Sequence, residues 1–130
     1  MILLDTHVVA WLLIAPDQLS GRARDAILQA RIAGERIGLS PVSLYEIANA
    51  ARRRRLQLYS TTGDFIAAVQ AKLDLVPLTA EIAVCAAELP APFHGDPIDR
   101  IIAATAIVMD CTLITHDDRI RNANACKVLW

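Results

Sequence analysis

Short apolar runs alternate along this chain with longer stretches of helical periodicity. Ile2-Leu3-Leu4 reads as a buried strand, and the apolar stretch from Val8 to Ile14 as the helix after it, which Pro16 helps to end. Ser20 caps a second helix over Gly21 to Ala33, with Gly34 as its stop signal. Arg36 to Leu39 predicts a second strand, after which Ser40 and Pro41 supply an N-cap and an N1 proline for a helix reaching the arginine run. A further helix is predicted over Gly63 to Leu73, a third strand over Leu75 to Leu78, and a helix from Ala80 to Leu89, capped by Thr79 and ended by Pro90 and Pro92. Asp96 and Pro97 open the most apolar helix, Ile98 to Met109, as N-cap and N1. Thr112 to Thr115 predicts a fourth strand and Lys127 to Trp130 a fifth at an edge. This alternation implies βαβ crossovers, hence a three-layer α/β/α fold around a mostly parallel sheet of four or five strands.

A length of 130 residues suits a single domain, 1–130, able to bury its own core without staples. The longest apolar runs, such as Val8 to Ala15, fall short of the ~20 residues a membrane span requires. The N-terminus has no basic segment and carries Asp5 where a signal peptide would have one. Cys85, Cys111 and Cys126 are odd in number and lack the close spacing of a zinc site, so they are expected as reduced packing residues of a cytosolic protein. The net charge of -1 says little, but arginines gather at Arg52-Arg53-Arg54-Arg55 and earlier at Arg22, Arg24, Arg31 and Arg36, while acids concentrate later. A basic rim around an acidic pocket suits a polyanion approaching a metal. Taken alone, the arginine run also reads as a solvated helix end.

The acids stand where strands end or helices begin: Asp5 after Ile2-Leu3-Leu4, Glu46 in Ser-Leu-Tyr-Glu-Ile, Asp96 and Asp99 in Asp-Pro-Ile-Asp-Arg, and Asp117 after Leu113-Ile114-Thr115-His116. Parallel strands bring these carboxylates to one sheet edge, where open α/β folds bind ligands. Gathering that much negative charge costs several kcal/mol, on the order of what burying an unpaired charge costs, unless a divalent cation neutralises it. Oxygen donors from several elements suit Mg²⁺ or Mn²⁺ and disfavour structural Zn²⁺.

Each acid has a plainer account as well. Asp96 caps its helix, Asp117 with Asp118 makes a turn, Glu46 is a surface charge, and Asp5 ends a strand. Asp5 resists that account best, because it interrupts an apolar segment from Ile2 to Ile14. Thr6, Ser43 and Thr115 are supporting candidates whose hydroxyls can hold a carboxylate or a metal-bound water, with capping as the simpler role. His7, His94 and His116 neighbour the acids in sequence and are read as hydrogen-bonding or surface residues rather than ligands.

With these motifs in hand, the chain resembles the PIN domain, and within it the VapC-like ribonuclease toxins of prokaryotic toxin–antitoxin pairs. The resemblance rests on Leu3-Leu4-Asp5-Thr6-His7, Ser43-Leu44-Tyr45-Glu46-Ile47, the run from Asp96 to Ala106, and Leu113-Ile114-Thr115-His116-Asp117. Their order and spacing carry it, and it spans essentially the whole chain. The resemblance implies a metal site of Asp5, Glu46, Asp99 and Asp117, with Asp96 as a further ligand, a water-mediated contact or only the cap. Many relatives carry asparagine at the position of His7, so any role of that amide does not transfer. The implied activity is endonucleolytic cleavage of RNA with Mg²⁺ or Mn²⁺, and the implied partners are a small VapB-like antitoxin and a second copy of the chain. Tyr45, Ile47, Ile66 and Val69 are interface candidates or simply core. Arg100, Arg52 and Arg53 are candidate contacts to substrate phosphate or to an acidic stretch of the antitoxin.

Two rival readings differ in testable ways. A haloacid dehalogenase-like phosphatase also begins with a strand ending in aspartate, but needs a second aspartate at the position of His7. A non-catalytic PIN-like module binding RNA or protein has no need of the full acidic set, whose charges are costly without metal.

Overall fold

The computed structural model describes every residue from Met1 to Trp130. Five short strands form the sheet: β1 (Ile2–Leu4), β2 (Ile37–Leu39), β3 (Asp74–Leu75), β4 (Thr112–Ile114) and β5 (Val128–Leu129). Seven helices connect or follow them: α1 (Thr6–Ile14), α2 (Gly21–Ile32), α3 (Pro41–Arg52), α4 (Thr62–Gln70), α5 (Ala80–Glu88), α6 (Pro97–Val108) and α7 (Asp118–Ala123). All strand pairs are parallel, in the order β3-β2-β1-β4-β5. The chain thus starts at mid-sheet, builds out to one edge, and crosses back to continue on the other side of β1. The reversal of strand order falls between β1 and β4, where the chain leaves neighbouring strands toward opposite faces and opens a crevice.

Side chains alternate across the pleat, and this divides the core in two. Leu4, Leu39 and Ile114 pack with Val8, Val9, Ile27, Ile47 and Val69 of α1 to α4. Leu3 and Leu113 face the other way, onto Ile82, Ile102, Ala103 and Ile120 of α5 to α7. Each fully buried aliphatic side chain contributes about 1.5–3 kcal/mol over an exposed one, so the two faces hold the helical layers firmly. Gly38 lies in the tightest part of this arrangement: a Cβ there would meet Val76 Cγ2 at 3.1 Å and Leu3 Cδ1 at 3.2 Å. Gly34, with φ of 67°, ends α2 in the left-handed conformation expected of a stop signal.

Several expectations need correction. Strand β3 stops at Leu75 rather than Leu78, because Pro77 has no amide to donate and Leu78 turns outward at 48% exposure. Helix α4 ends at Gln70, short of Leu73. The segment after Asp117, expected as a turn, is helix α7. Ser40 occupies the N-cap of α3, but its Oγ accepts nothing there and is buried without a hydrogen-bond partner. Of the apolar residues considered for an interface, Ile47 and Val69 belong to the core, Ile66 packs against it, and Tyr45 is 65% exposed. The three cysteines are free, and burial pushes the Cys126 thiol up to about 11. No helix is long and apolar enough to cross a membrane.

Candidate active site

Three helices begin at the same sheet edge with an aspartate at the N-cap: Asp5 for α1, Asp96 for α6 and Asp117 for α7. An N-cap carboxylate satisfies amides that the first turn leaves unpaired, and it sits in the positive end of the helix dipole. The plain capping role and placement at the sheet edge therefore coincide in these residues.

Asp5 is buried and held at both oxygens. The Thr6 amide donates to Oδ1 at 2.7 Å and the Thr115 hydroxyl donates to Oδ2 at 2.6 Å. Its own amide donates to the Ile114 carbonyl at 3.0 Å, which extends the β1–β4 pairing by one residue and fixes where the side chain leaves the sheet. Burial raises its carboxyl above the ordinary value of 3.8, against lowering by the Thr115 hydroxyl. Thr115 Oγ1 also accepts from the Asp117 amide at 3.0 Å, so one hydroxyl ties the ends of β1 and β4 together. Thr6 Oγ1 donates to Ser43 Oγ at 2.9 Å, both buried, which sets α3 against the start of α1. All three supporting hydroxyls thus lie within this framework.

Asp117 accepts from the Arg119 amide at 2.7 Å and is gripped by the Arg119 guanidinium, whose Nη2 approaches Oδ2 at 2.7 Å. That hydrogen bond holds its carboxyl below the ordinary value. The same Nη2 reaches Asp99 Oδ2 at 3.2 Å, so Arg119 bridges the two acids. Asp99, three residues after the Asp96 cap, is only 8% exposed. Its carboxyl is pushed up to about 7, first by burial and then by the charges of Asp96, Asp5 and Asp117. His94 Nε2 stands 3.4 Å from Asp99 Oδ2 but is not aligned for a hydrogen bond. The Asp96 amide donates to His94 Nδ1 at 3.4 Å, which leaves the proton of a neutral ring on Nε2, facing Asp99.

Glu46 lies one turn beyond Ser43 on α3 and lines a cavity of about 310 Å³ with Thr6, His7, Arg53, Arg55 and Ile98. This cavity joins the start of α1 to the residue preceding Asp99. Arg53 accordingly shares a wall with Glu46, whereas exposed Arg52 is not among its lining residues. Arg100 has a different place from the one expected. Its guanidinium donates to the carbonyls of Ala86 at 2.8 Å, Ala87 at 3.2 Å, Leu89 at 2.7 Å and His94 at 3.3 Å. With every nitrogen engaged on the protein's own backbone, Arg100 closes the C-terminal end of α5 and fixes the loop that presents His94 and Asp96.

The donor set fits a hard divalent cation: carboxylate oxygens from separate elements, set by hydroxyls, with a charge surplus that raises Asp99. No three acidic or imidazole groups are drawn together as a finished coordination shell. The cationic place between Asp99 and Asp117 is taken by Arg119, whose side chain is 62% exposed. Sequence reasoning missed Arg119. Its signal was present, since an arginine in the first turn of a helix opposes the helix dipole unless local acids hold it there.

A family model described as PIN domain matches residues 2–125. The chain is 35% identical over 121 residues to Ribonuclease VapC22 of Mycobacterium tuberculosis (strain ATCC 25618 / H37Rv), covering 93% of this chain and 90% of that protein. Among solved structures, VapBC2 from Rickettsia felis bound to a DNA fragment from its promoter superposes with a TM-score of 0.74 at 17% identity, over 99% of this chain and 98% of that one. VapBC-1 from nontypeable Haemophilus influenzae gives 0.71 at 18% identity, over 99% and 97%. The parallel sheet of five strands between two helical layers is the architecture these neighbours share. With the family model spanning nearly its full length and a ribonuclease relative matching at this identity, the chain belongs to the PIN-domain family.

Proposed function

We propose that this protein is a VapC-like toxin, an endoribonuclease that cuts RNA phosphodiester bonds with Mg²⁺ or Mn²⁺. The observation that carries the reading is the unbroken run of contacts from Asp5 through Thr115, Asp117 and Arg119 to Asp99, which draws acids from three elements to the crevice between β1 and β4. Asp5, Asp99 and Asp117 would hold the cation, with Asp96 near enough to raise Asp99 by its charge. When bound, such an ion acidifies a water and neutralises charge on the scissile phosphate. The chain's own residues do the rest. Thr115 and the Thr6 amide fix the Asp5 carboxylate, Glu46 would ligate the ion or orient the attacking water, and Arg53 and Arg55, on the wall of the Glu46 cavity, would meet phosphate.

The similarity to VapBC complexes supports a VapB-like antitoxin as partner, and the proposal takes a homodimer as the working unit. Three unpaired thiols fit a reducing cytoplasmic setting. The reading is tested by incubating purified, antitoxin-free protein with a total RNA pool, in Mg²⁺ or Mn²⁺ against EDTA, with Asp5→Asn and Glu46→Gln as controls. Discrete cuts that require metal and vanish in both variants are expected. Equal cutting by wild type and variants would expose a contaminating nuclease, and a folded, metal-binding protein that cuts no RNA would favour the non-catalytic binding module.

A further inference from the structure

Beside the carboxylates lies a second feature that the cleavage chemistry does not use. His7 and Trp11 are four residues apart on α1 and share one face of it, with ring centroids 6.0 Å apart. His116, in the loop between β4 and α7, stands edge-on to Trp11 at 5.4 Å and 75° and to Trp130 at 5.1 Å and 72°. Trp130, following β5, completes the group at 5.6 Å from Trp11. The two tryptophans pack partly into the core, yet both histidines that flank Trp11 are exposed. A cluster that served packing alone would bury its outer rings, because exposed ring surface gains nothing from the hydrophobic effect.

The rings border an open cavity of about 260 Å³ lined by His7, Trp11, His116, Asp117 and Asp118. Asp117 is also a member of the carboxylate group, so this cavity adjoins that group. A strand whose phosphate is held at the carboxylates by a bound cation would have an adjoining nucleotide within reach of these rings. Sequence-tolerant recognition of unpaired RNA relies on aromatic faces of this kind, with base edges left free.

We propose that His7, Trp11 and His116 form a stacking platform for one unpaired nucleobase flanking the phosphate at the carboxylate site. This rests on the nuclease reading above and adds to it the residues that position the substrate beside the cut. The platform positions RNA and takes no part in proton transfer.

The chain's only two tryptophans both belong to this cluster, which makes intrinsic fluorescence a direct reporter. To prevent cutting, protein in a Glu46→Gln background is titrated in Mg²⁺ with a single-stranded hexaribonucleotide and with an abasic ribose-phosphate oligomer of equal length. Saturable quenching by the first is expected, with the abasic oligomer bound about tenfold more weakly and without quenching. His7→Ala and His116→Ala should each weaken the base-bearing oligomer by about tenfold while leaving the abasic one unchanged, and His116→Phe should restore binding. Equal affinity for both oligomers, or histidine variants within twofold of the Glu46→Gln parent, would overturn the platform. If the histidine variants with Glu46 in place also cut the RNA pool at the wild-type rate, the platform fails and the nuclease reading stands. If the Glu46→Gln protein binds neither oligomer and wild type does not cut the pool, both fail together.

Discussion

The strongest handle on the site is Asp99, because its burial and charged neighbours place a titration in an accessible range. Its carboxyl moves from 3.8 to about 7 on folding, driven first by burial and then by Asp96, Asp5 and Asp117, with Arg119 opposing. A folded-state value above the unfolded one means that the folded chain holds more protons between these limits. The group's contribution to stability is therefore complete below pH 3.8 and is lost as pH rises to about 7. At about 1.4 kcal/mol per pH unit, the full loss is about 4 kcal/mol in the metal-free protein. Asp99→Asn keeps an oxygen for Arg119 and removes the charge. In EDTA the variant should be more stable than wild type, and its advantage should widen by roughly 2–3 kcal/mol between pH 5 and pH 8.

Urea denaturation at both pH values measures this directly, and subtracting variant from wild type cancels every group that does not touch Asp99. His94 does touch it, with Nε2 3.4 Å from Asp99 Oδ2, so its share stays in the difference. Saturating Mg²⁺ should narrow the difference at pH 8. Metal at a hundred times its dissociation constant adds about 2.7 kcal/mol to the wild type and less to a variant lacking a ligand. An advantage that stays constant from pH 5 to pH 8, or a variant less stable than wild type at pH 8, would refute the account of Asp99 as a buried, repelled acid.

The remaining expectations concern the groups around it. Arg119→Ala should lower the Mg²⁺ concentration that half-saturates the rise in melting temperature, since it removes the cation bridging Asp99 and Asp117; weaker metal binding would show that Arg119 assists the ion instead. Thr115→Val removes the donor to Asp5 and the acceptor for the Asp117 amide, and should reduce metal affinity or cleavage by about 10- to 100-fold, read from Mg²⁺ titrations of both. Arg100→Ala should destabilise the fold by about 2–4 kcal/mol in denaturant while leaving the salt dependence of RNA binding unchanged. A flattened salt slope would return Arg100 to the substrate.

What was legible in the sequence was whatever local rules decide. Asp5 directly follows the apolar triplet Ile2-Leu3-Leu4, Asp117 lies just past the strand that ends at Ile114, and Asp96-Pro97 is a helix start by composition, so strand ends and caps placed three of the acids before any packing was known. The places where the reading slipped are governed by tertiary contacts. Ser40 has the residue type and backbone of a cap, yet the packing that buries it leaves its hydroxyl without a partner. Arg100 follows Asp99 in the chain, but its side chain leaves in the opposite sense and finds four carbonyls at the end of α5, a pairing with no sequence signature. The aromatic group was likewise hidden, because Trp11, His116 and Trp130 meet only once β5 is laid beside β4.

The strand order explains why the acids do not simply repel the fold apart. Asp5 and Asp117 leave adjacent strands, but α1 runs down one face of the sheet and α7 down the other, so their backbones diverge while their side chains remain at the shared edge. Each acid then has its own local donors: the Thr6 amide and Thr115 hydroxyl for Asp5, the Arg119 amide and guanidinium for Asp117. Asp99 has the fewest, and its carboxyl, like that of buried Asp5, is held above the ordinary value. The strain of gathering these charges is therefore carried by the two buried acids, where a bound cation would relieve it most. Arg119 relieves it in part from a solvent-exposed side chain, and under the proposed function a divalent cation would displace that side chain while the framework of hydroxyls behind it stays in place.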